Sequence, residues 1–239
     1  RMLIFRATPS SAHRWAYVLL FLSPALWSVN YLVSRMAPGV VAPHMLALVR
    51  GSLAGLVLAT FAWPECRAKR AQLLHQGWHY LVLGVLGMWI CGAWVYIGAR
   101  TTVATNIALI YALSPVFVAL ASTLWLREHL GKWQWLGIAM AFAGLVHVVI
   151  KGQWAQLLQV QLVAGDAWIL ACTLSWTAYS IFLKRWPSQF TPIARLVLIA
   201  AGGVVVLLPL AMLEAYSGWP LTQTVWSTQA WLLMVAAGL

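Results

Sequence analysis

Charge is scarce in this sequence. Only 8% of its 239 residues are charged and 63% are hydrophobic, whereas a soluble domain carries about 25% charged residues. Too few charges are therefore present to cover a water-exposed surface. The apolar residues come in blocks of about 20, the length of a helix that crosses a bilayer. The composition predicts an all-α fold, a polytopic bundle of transmembrane helices surrounded by the lipid bilayer.

Acidic residues are the rarest of the charged residues. Four Asp and Glu accompany 15 Lys and Arg, so the net charge is +11. Such an excess can indicate nucleic-acid binding, but the basic residues lie in short connectors and form no basic domain, so we predict no nucleic-acid partner. The acidic residues lie near the ends of the apolar blocks or in connectors. This placement disfavours a proton relay built on a carboxylate in mid-membrane.

Motifs of catalysis and metal binding are also missing. The three cysteines form no CxxC pair, and the apolar blocks contain no HExxH motif or carboxylate pair. The sequence also lacks the Walker motif that an ATP-driven pump would carry. We therefore predict no catalytic residues, no metal and no cofactor. The alternatives to a transporter are an intramembrane enzyme, which would need a catalytic constellation, and a non-transporting membrane protein, which normally carries a soluble effector domain.

The apolar blocks correspond to seven complete spans and the beginning of an eighth. The first block follows basic residues, as a signal peptide does, but it is too long and no convincing cleavage site follows it, which favours a retained helix. The predicted spans cover residues 15–35, 43–63, 78–98, 103–126, 133–150, 166–184 and 192–213, and the last begins near residue 230.

Basic residues are distributed unevenly between alternate connectors. Ten lie in the N-terminal segment and in the connectors after spans two, four and six, whereas the other connectors hold only Arg35, Arg100 and Lys151. Cytoplasmic loops hold an excess of Lys and Arg. The bias predicts a multi-pass protein of the inner (plasma) membrane with a cytoplasmic N-terminus.

A weak internal repeat relates the two halves of the chain. A shift of 149 residues aligns WSVNYLVSR, which starts at Trp27, with WTAYSIFLK, which starts at Trp176. The same shift aligns Pro43 with Pro192, each at the start of the next span. Chance similarity between two apolar stretches is the alternative explanation.

The repeat divides the chain into a first five-helix unit at residues 15–150 and a second, truncated unit at residues 166–239. An odd number of helices per unit inverts the second unit relative to the first, as in many transporters. Ten helices are then expected, of which about seven and a half are present, and about 60 further residues would complete the second unit.

The segment from Tyr96 to Gly152 carries the most specific pattern. It combines a small and polar start of span four with the pair Ser114-Pro115, the turn Arg127-Glu128 and spaced glycines in span five. With the openings of spans one and two, this order resembles the EamA family of the drug/metabolite transporter superfamily. The resemblance implies a ten-helix secondary carrier that works by alternating access between two repeats. It implies a small-molecule substrate, such as an amino acid or related compound, that is frequently moved outward.

Polar and aromatic residues inside the spans are candidate substrate contacts because polar atoms are costly in hydrocarbon. Trp27 and Asn30 lie on one face of span one, and the repeat aligns them with Trp176 and Tyr179 of span six. Hydrogen bonding between helices is the alternative for the polar residues. Packing or lipid contact is the alternative for the aromatic residues.

Spans three and four supply further candidates. Tyr111 and Ser114 share a face of span four with Val118 and Ser122, and Asn106 lies one turn earlier on a neighbouring face. Pro115 is interpreted either as a hinge or as a tolerated kink. Tyr96, near the end of span three, is also predicted to contact the substrate.

Arg50 lies within span two, about eight residues from its predicted outer end. A buried guanidinium there would hold a substrate carboxylate. The alternatives are snorkelling towards the interface and structural pairing. Arg195, three residues after Pro192, is predicted to have a structural role.

Overall fold

The computed structural model describes residues 17, 18, 22, 29, 32–150, 152–155, 163–217 and 224–238. These residues are helical or lie in turns and connectors, without a β-strand among them. The predicted first span is described only in part, and residues 32–36 form the described end of a helix. The all-α prediction is confirmed for the described chain.

Eight further helices are described, and each coincides with a predicted span or with part of one. They are α1 (Pro43–Ala68), α2 (Arg70–Gly98), α3 (Ala104–Ala112), α4 (Ser114–Trp125), α5 (Lys132–Val149), α6 (Ala164–Arg185), α7 (Pro192–Ser217) and α8 (Thr228–Gly238). Within the described residues, α1, α2, α7 and the combined segment Thr105–Trp125 are each long and apolar enough to cross a membrane.

The segment between spans two and three differs from the predicted connector. Helix α1 continues to Ala68 and α2 begins at Arg70, so that Lys69 alone separates them. The Lys69 backbone N–H donates to the Glu65 carbonyl at 3.0 Å. The Ala, Lys, Arg, Gln and Leu residues of this segment are good helix formers, which explains why both helices extend beyond their apolar blocks.

Helices α1 and α7 form an antiparallel pair. Glu214, near the end of α7, accepts the backbone N–H groups of His44 and Met45 at 2.9 and 3.2 Å. Glu65, near the end of α1, accepts the backbone N–H of Thr191 at 3.0 Å, immediately before α7. Each helix therefore ends beside the start of the other and supplies a carboxylate to it.

The two glutamates are related by the same offset as the sequence repeat. Residues 65 and 214 are 149 apart, as are Pro43 and Pro192, which begin the two helices. Both helices contain 26 residues. The helix starts need these acceptors because the first N–H groups of a helix have no partner within it.

Helix α2 crosses α7 at glycines on both sides. A Cβ added at Gly84 would lie 2.3 Å from the Gly203 backbone nitrogen, and one added at Gly202 would lie 2.5 Å from the Tyr80 carbonyl oxygen. The absence of side chains allows the two backbones to touch, which is the usual role of small residues between membrane helices.

Part of α2 is wound as a π-helix, over Val85–Trp94, and this part packs on α6. The Ser175 hydroxyl of α6 donates to the Leu86 carbonyl at 2.9 Å, and the Cys172 thiol donates to the Ile90 carbonyl at 3.3 Å. The Cys91 thiol donates in return to the Cys172 carbonyl at 3.0 Å. Both cysteines are free thiols that pack between helices.

Two groups of polar contacts lie at opposite ends of the bundle. We call the end that holds Lys69, Glu128 and Lys184 the basic end. There Lys69 donates to the Gln189 carbonyl at 2.6 Å and Lys184 pairs with Glu128. The connectors after spans two, four and six thus meet at one end, as the charge pattern requires.

The other end holds the buried acids, and we call it the acidic end. His44 Nδ1 lies 3.1 Å from Glu214 Oε1, and both side chains are buried. The Asn106 amide donates to Asp166 at 2.9 Å. The Thr224 hydroxyl accepts the Ala42 backbone N–H at 3.1 Å.

Glycine 84 offers a direct test of the α2–α7 crossing. We expect Gly84→Ala to destabilise the protein by about 1–3 kcal/mol, because overpacking forces backbones apart. Gly77→Ala in the same helix is the matched control, since a Cβ there meets nothing within 4 Å. Thermal unfolding in detergent should show a lower Tm for the first variant and an unchanged or higher Tm for the second. Equal Tm values would contradict the close crossing.

Removal of the Glu214 carboxylate tests the α1–α7 pair. We expect Glu214→Ala to destabilise the protein by roughly 3 kcal/mol, because it leaves the start of α1 and His44 without their buried acceptor. Glu65→Ala should cost less, since the Glu65 side chain is 20% exposed against 1% for Glu214. The two apparent Tm values measure this difference. A larger loss for Glu65→Ala would refute the assignment.

Candidate substrate cavity

A cavity of about 660 Å³ opens between α1, α2, α4 and α6. We call it the central cavity. Its described lining combines one arginine, hydroxyl groups, one indole and aliphatic side chains: Arg50, Gly87, Cys91, Val95, Tyr111, Ser114, Pro115, Val118, Ala119, Ser122, Leu130, Ile138, Trp176 and Ser180. Ligand cavities of about 300–1,000 Å³ accommodate drug-sized molecules.

One wall comes from the span that Pro115 interrupts. Helix α3 ends at Ala112 and α4 starts at Ser114, with Pro115 in the first turn of α4. Proline is tolerated in a first turn because its missing N–H has no partner there anyway. All four residues of the predicted face, namely Tyr111, Ser114, Val118 and Ser122, line the central cavity.

A second wall comes from α6. Trp176 and Ser180 lie one turn apart and both line the cavity. The Tyr179 ring stacks on Trp176, with the ring centroids 5.2 Å apart and an interplanar angle of 23°. A Cβ added at Gly87 would lie 3.0 Å from the Tyr179 ring, so a side chain at this position would crowd the ring. The aromatic pair is thus held from the side of α2.

Arg50 provides positive charge to the cavity from α1. Its guanidinium donates to the Tyr96 hydroxyl at 3.4 Å. A Cβ added at Gly92 would lie 3.2 Å from the Arg50 terminal nitrogen. Arg50 is half-buried, and its side chain lies against α2. The hydrogen bond to Tyr96 is a structural pairing of Arg50, and the place of its side chain on the cavity wall also leaves the ligand-binding alternative open.

The central cavity extends towards the basic end. Leu130 of the connector between α4 and α5 lines it, as does Ser122. The Ser122 hydroxyl donates to Glu128 at 2.8 Å, and Lys184 pairs with the same carboxylate. The Lys184 ammonium lowers the pKa of the Glu128 carboxyl, with a further contribution from Ser122. Glu128 is therefore ionised and paired at neutral pH.

Asp166 forms a polar cluster at the acidic end. Its carboxylate accepts hydrogen bonds from the Thr102 hydroxyl, the Asn106 amide and the Val163 backbone N–H. Arg35 donates to the Thr102 carbonyl at 3.3 Å. These contacts tie the described end of the first span, the start of α3 and the start of α6 together on the side away from Leu130.

The predicted site residues divide into three groups. Four of them line the central cavity, namely Arg50, Tyr111, Ser114 and Trp176. Tyr96 and Tyr179 lie outside the lining and contact Arg50 and Trp176, respectively. Asn106 is buried and bonded to Asp166 at the acidic end. Trp27 and Asn30 lie outside the described residues.

Sequence reasoning missed the contributions of α2 and α5. Gly87 and Cys91 lie in the π-helical part of α2, and Ile138 lies in α5. A lone thiol in an apolar block, such as that of Cys91, is typical of a packing residue and carries no signal of a cavity. The π-helical turn has no sequence signature that would have revealed which side chains it turns towards the cavity.

The contacts of Arg195 fit the structural role predicted for it. Arg195 donates to the carbonyls of Leu183 and Trp186, both at 2.7 Å, and so caps the end of α6. Among the residues that the structure describes, no group of three or more His, Cys, Asp or Glu side chains is placed to hold a metal ion.

Comparison with known proteins places the chain among transporters. The model of the EamA-like transporter family matches residues 14–150. The uncharacterized transporter YyaM of Bacillus subtilis is 25% identical over 200 residues, which cover 84% of this chain and 66% of that protein.

Some of the relatives are named for the compounds that they transport. The riboflavin transporter of Vibrio cholerae is 28% identical over 81% of this chain and 60% of that protein. An S-adenosylmethionine/S-adenosylhomocysteine transporter of Chlamydia trachomatis is 25% identical over 90% of this chain and 67% of that protein. The chain thus spans about two thirds of the length of the relatives it matches.

Proposed function

This chain belongs to the EamA-like transporter family, and we propose that it moves a small organic metabolite across the membrane through the central cavity. It is a multi-pass membrane protein, and the family and the names of its relatives point to a transporter rather than an enzyme. Secondary transport, driven by gradients rather than by ATP, is the mechanism that we propose.

The observation that carries this proposal is the chemistry of the central cavity. A guanidinium, several hydroxyls and an indole line a space large enough for a metabolite, inside a bundle whose other surfaces are mostly apolar. Polar and ionisable groups inside a membrane domain are expensive and mark substrate paths. Arg50 would receive a carboxylate of the substrate.

Reciprocal capping of α1 and α7 supports two inverted repeats. Glu65 and Glu214 are related by the 149-residue offset, and each accepts N–H groups at the start of the other's helix. A two-fold axis in the membrane plane would produce this arrangement. The match of the family model to residues 14–150 agrees with a first unit at residues 15–150. Alternating access would then rock one unit against the other around the cavity.

We propose that the basic end faces the cytoplasm. Its connectors hold the excess of Lys and Arg that cytoplasmic loops carry. Because the cavity extends to Leu130 at this end, while Asp166 and Glu214 bind helix starts at the other, the structure would then be the inward-facing state. Loading from the cytoplasm suits an exporter of the inner membrane.

Transport by reconstituted protein tests the proposed activity. We expect the full-length protein in proteoliposomes to move at least one compound from a broad panel of radiolabelled metabolites. Arg50→Gln should lower this transport about tenfold or more, because a charge-assisted hydrogen bond to substrate is lost. Arg185→Gln, at an exposed position at the end of α6, is the matched control and should transport normally. If folded protein moves no compound of the panel, the proposal fails.

Reporter fusions test the orientation. We expect a reporter fused after Lys69 to be active as a cytoplasmic domain and one fused after Lys151 to be active outside, because the basic connectors stay in the cytoplasm. Alkaline phosphatase and green fluorescent protein fusions at both positions give complementary readouts. The opposite pattern would reverse the orientation while leaving the cavity unchanged.

A further inference from the structure

We infer that the central cavity selects small organic monoanions that carry a flat ring, in preference to cations and zwitterions. This inference rests on the proposed function and names the substrate class for the same cavity. It comes from the distribution of charge and aromatic surface around the cavity.

The charge of the described lining has one sign. Arg50 is the charged side chain among the described lining residues. The chain contains four acidic residues in all, and the structure describes every one. None of these carboxylates lines the cavity. A charge in a medium of low dielectric constant interacts strongly, so the guanidinium attracts an anion and repels a cation.

The carboxylates are held at the two ends of the bundle by partners of their own. Asp166 binds Asn106 and the start of α6, and Glu214 binds His44 and the start of α1. Glu65 binds Lys69 and the Thr191 hydroxyl at the basic end. These three acids complete the structure of helix termini and do not contribute to the cavity wall.

Glu128 is the acid nearest to the lining, through its contact with Ser122. Its carboxylate is shared between the Lys184 ammonium and the Ser122 hydroxyl. An ammonium group on a ligand would have to displace Lys184 to pair with it. A zwitterion such as an amino acid therefore brings a positive charge for which this chain offers no available carboxylate in the cavity.

The aromatic surface favours a flat ring beside the anionic group. Trp176 lines the cavity, and Tyr179 stacks against the indole and fixes its orientation. Pro115 and Val118 contribute apolar surface to the same cavity from α4. An aromatic ligand ring gains from stacking on an indole in addition to burying its apolar area. The volume of about 660 Å³ leaves room for one or two rings.

Equilibrium dialysis of the full-length protein in detergent, with radiolabelled phenylacetate as the probe, tests this inference. Competitors of matched size separate the contributions: phenylacetamide is neutral, phenethylamine is cationic, phenylalanine is zwitterionic and cyclohexylacetate is anionic without a flat ring. We expect phenylacetate to bind about tenfold or more tightly than the first three, because each lacks the unopposed carboxylate. Cyclohexylacetate should bind about three- to tenfold more weakly than phenylacetate.

Two variants assign each preference to its residue. Arg50→Gln should remove the difference between phenylacetate and phenylacetamide, and Trp176→Leu should remove the difference between phenylacetate and cyclohexylacetate. Trp133→Leu, at an 83% exposed position on α5, is the control and should change neither. Size-exclusion chromatography and circular dichroism confirm that each variant is folded.

The possible outcomes separate the substrate class from the transport activity. Tighter binding of phenethylamine or phenylalanine than of phenylacetate, no binding of phenylacetate by folded protein, or an unchanged charge preference in Arg50→Gln overturns the substrate class. Transport of cations or zwitterions alone in proteoliposomes would overturn the class and leave the transporter proposal intact. Selective binding of phenylacetate without transport of any compound would support the substrate class and contradict the transporter proposal.

Discussion

Glu65 and Glu214 satisfy the helix starts of an antiparallel pair, and the arrangement of the other helices follows from that pair. Inside a membrane domain, a backbone N–H without an acceptor costs several kcal/mol. Helix α1 has no side-chain cap of its own, and Glu214 supplies the acceptor from α7. Helix α2 crosses α7 beside this pair, at glycines that allow the two backbones to touch. The π-helical part of α2 then positions α6, and the central cavity remains between them.

The distribution of charge is a second consequence of the same constraint. The four acids bind helix termini or lysines at the two ends of the bundle, so Arg50 is left to set the sign of the electrostatic potential in the described part of the cavity. Substrate selection would therefore depend on one cation and on the aromatic surface of Trp176.

Much of the architecture was predictable because the bilayer imposes a simple pattern. Helix positions followed from apolar blocks, and the face of Tyr111, Ser114, Val118 and Ser122 followed from helical spacing. The reciprocal roles of Glu65 and Glu214 were not predicted, since two residues far apart in sequence meet only after the helices pack. Asn106 was predicted to contact the substrate because it is a polar residue inside a span. In the structure it bonds to the buried Asp166 and lies away from the cavity lining.

The accessibility of the central cavity from each side of the membrane is the sharpest test of a substrate path that opens at the basic end. In a protein whose native cysteines are replaced, Val118→Cys places one thiol on the cavity wall. A membrane-impermeant maleimide can then be added to right-side-out or inside-out vesicles. We expect rapid labelling from the side that carries Lys69, Glu128 and Lys184, and slow labelling from the side that carries Asp166 and Glu214. Labelling that is rapid only from the side of Asp166 and Glu214, or absent from both sides, would contradict a substrate path that opens at the basic end.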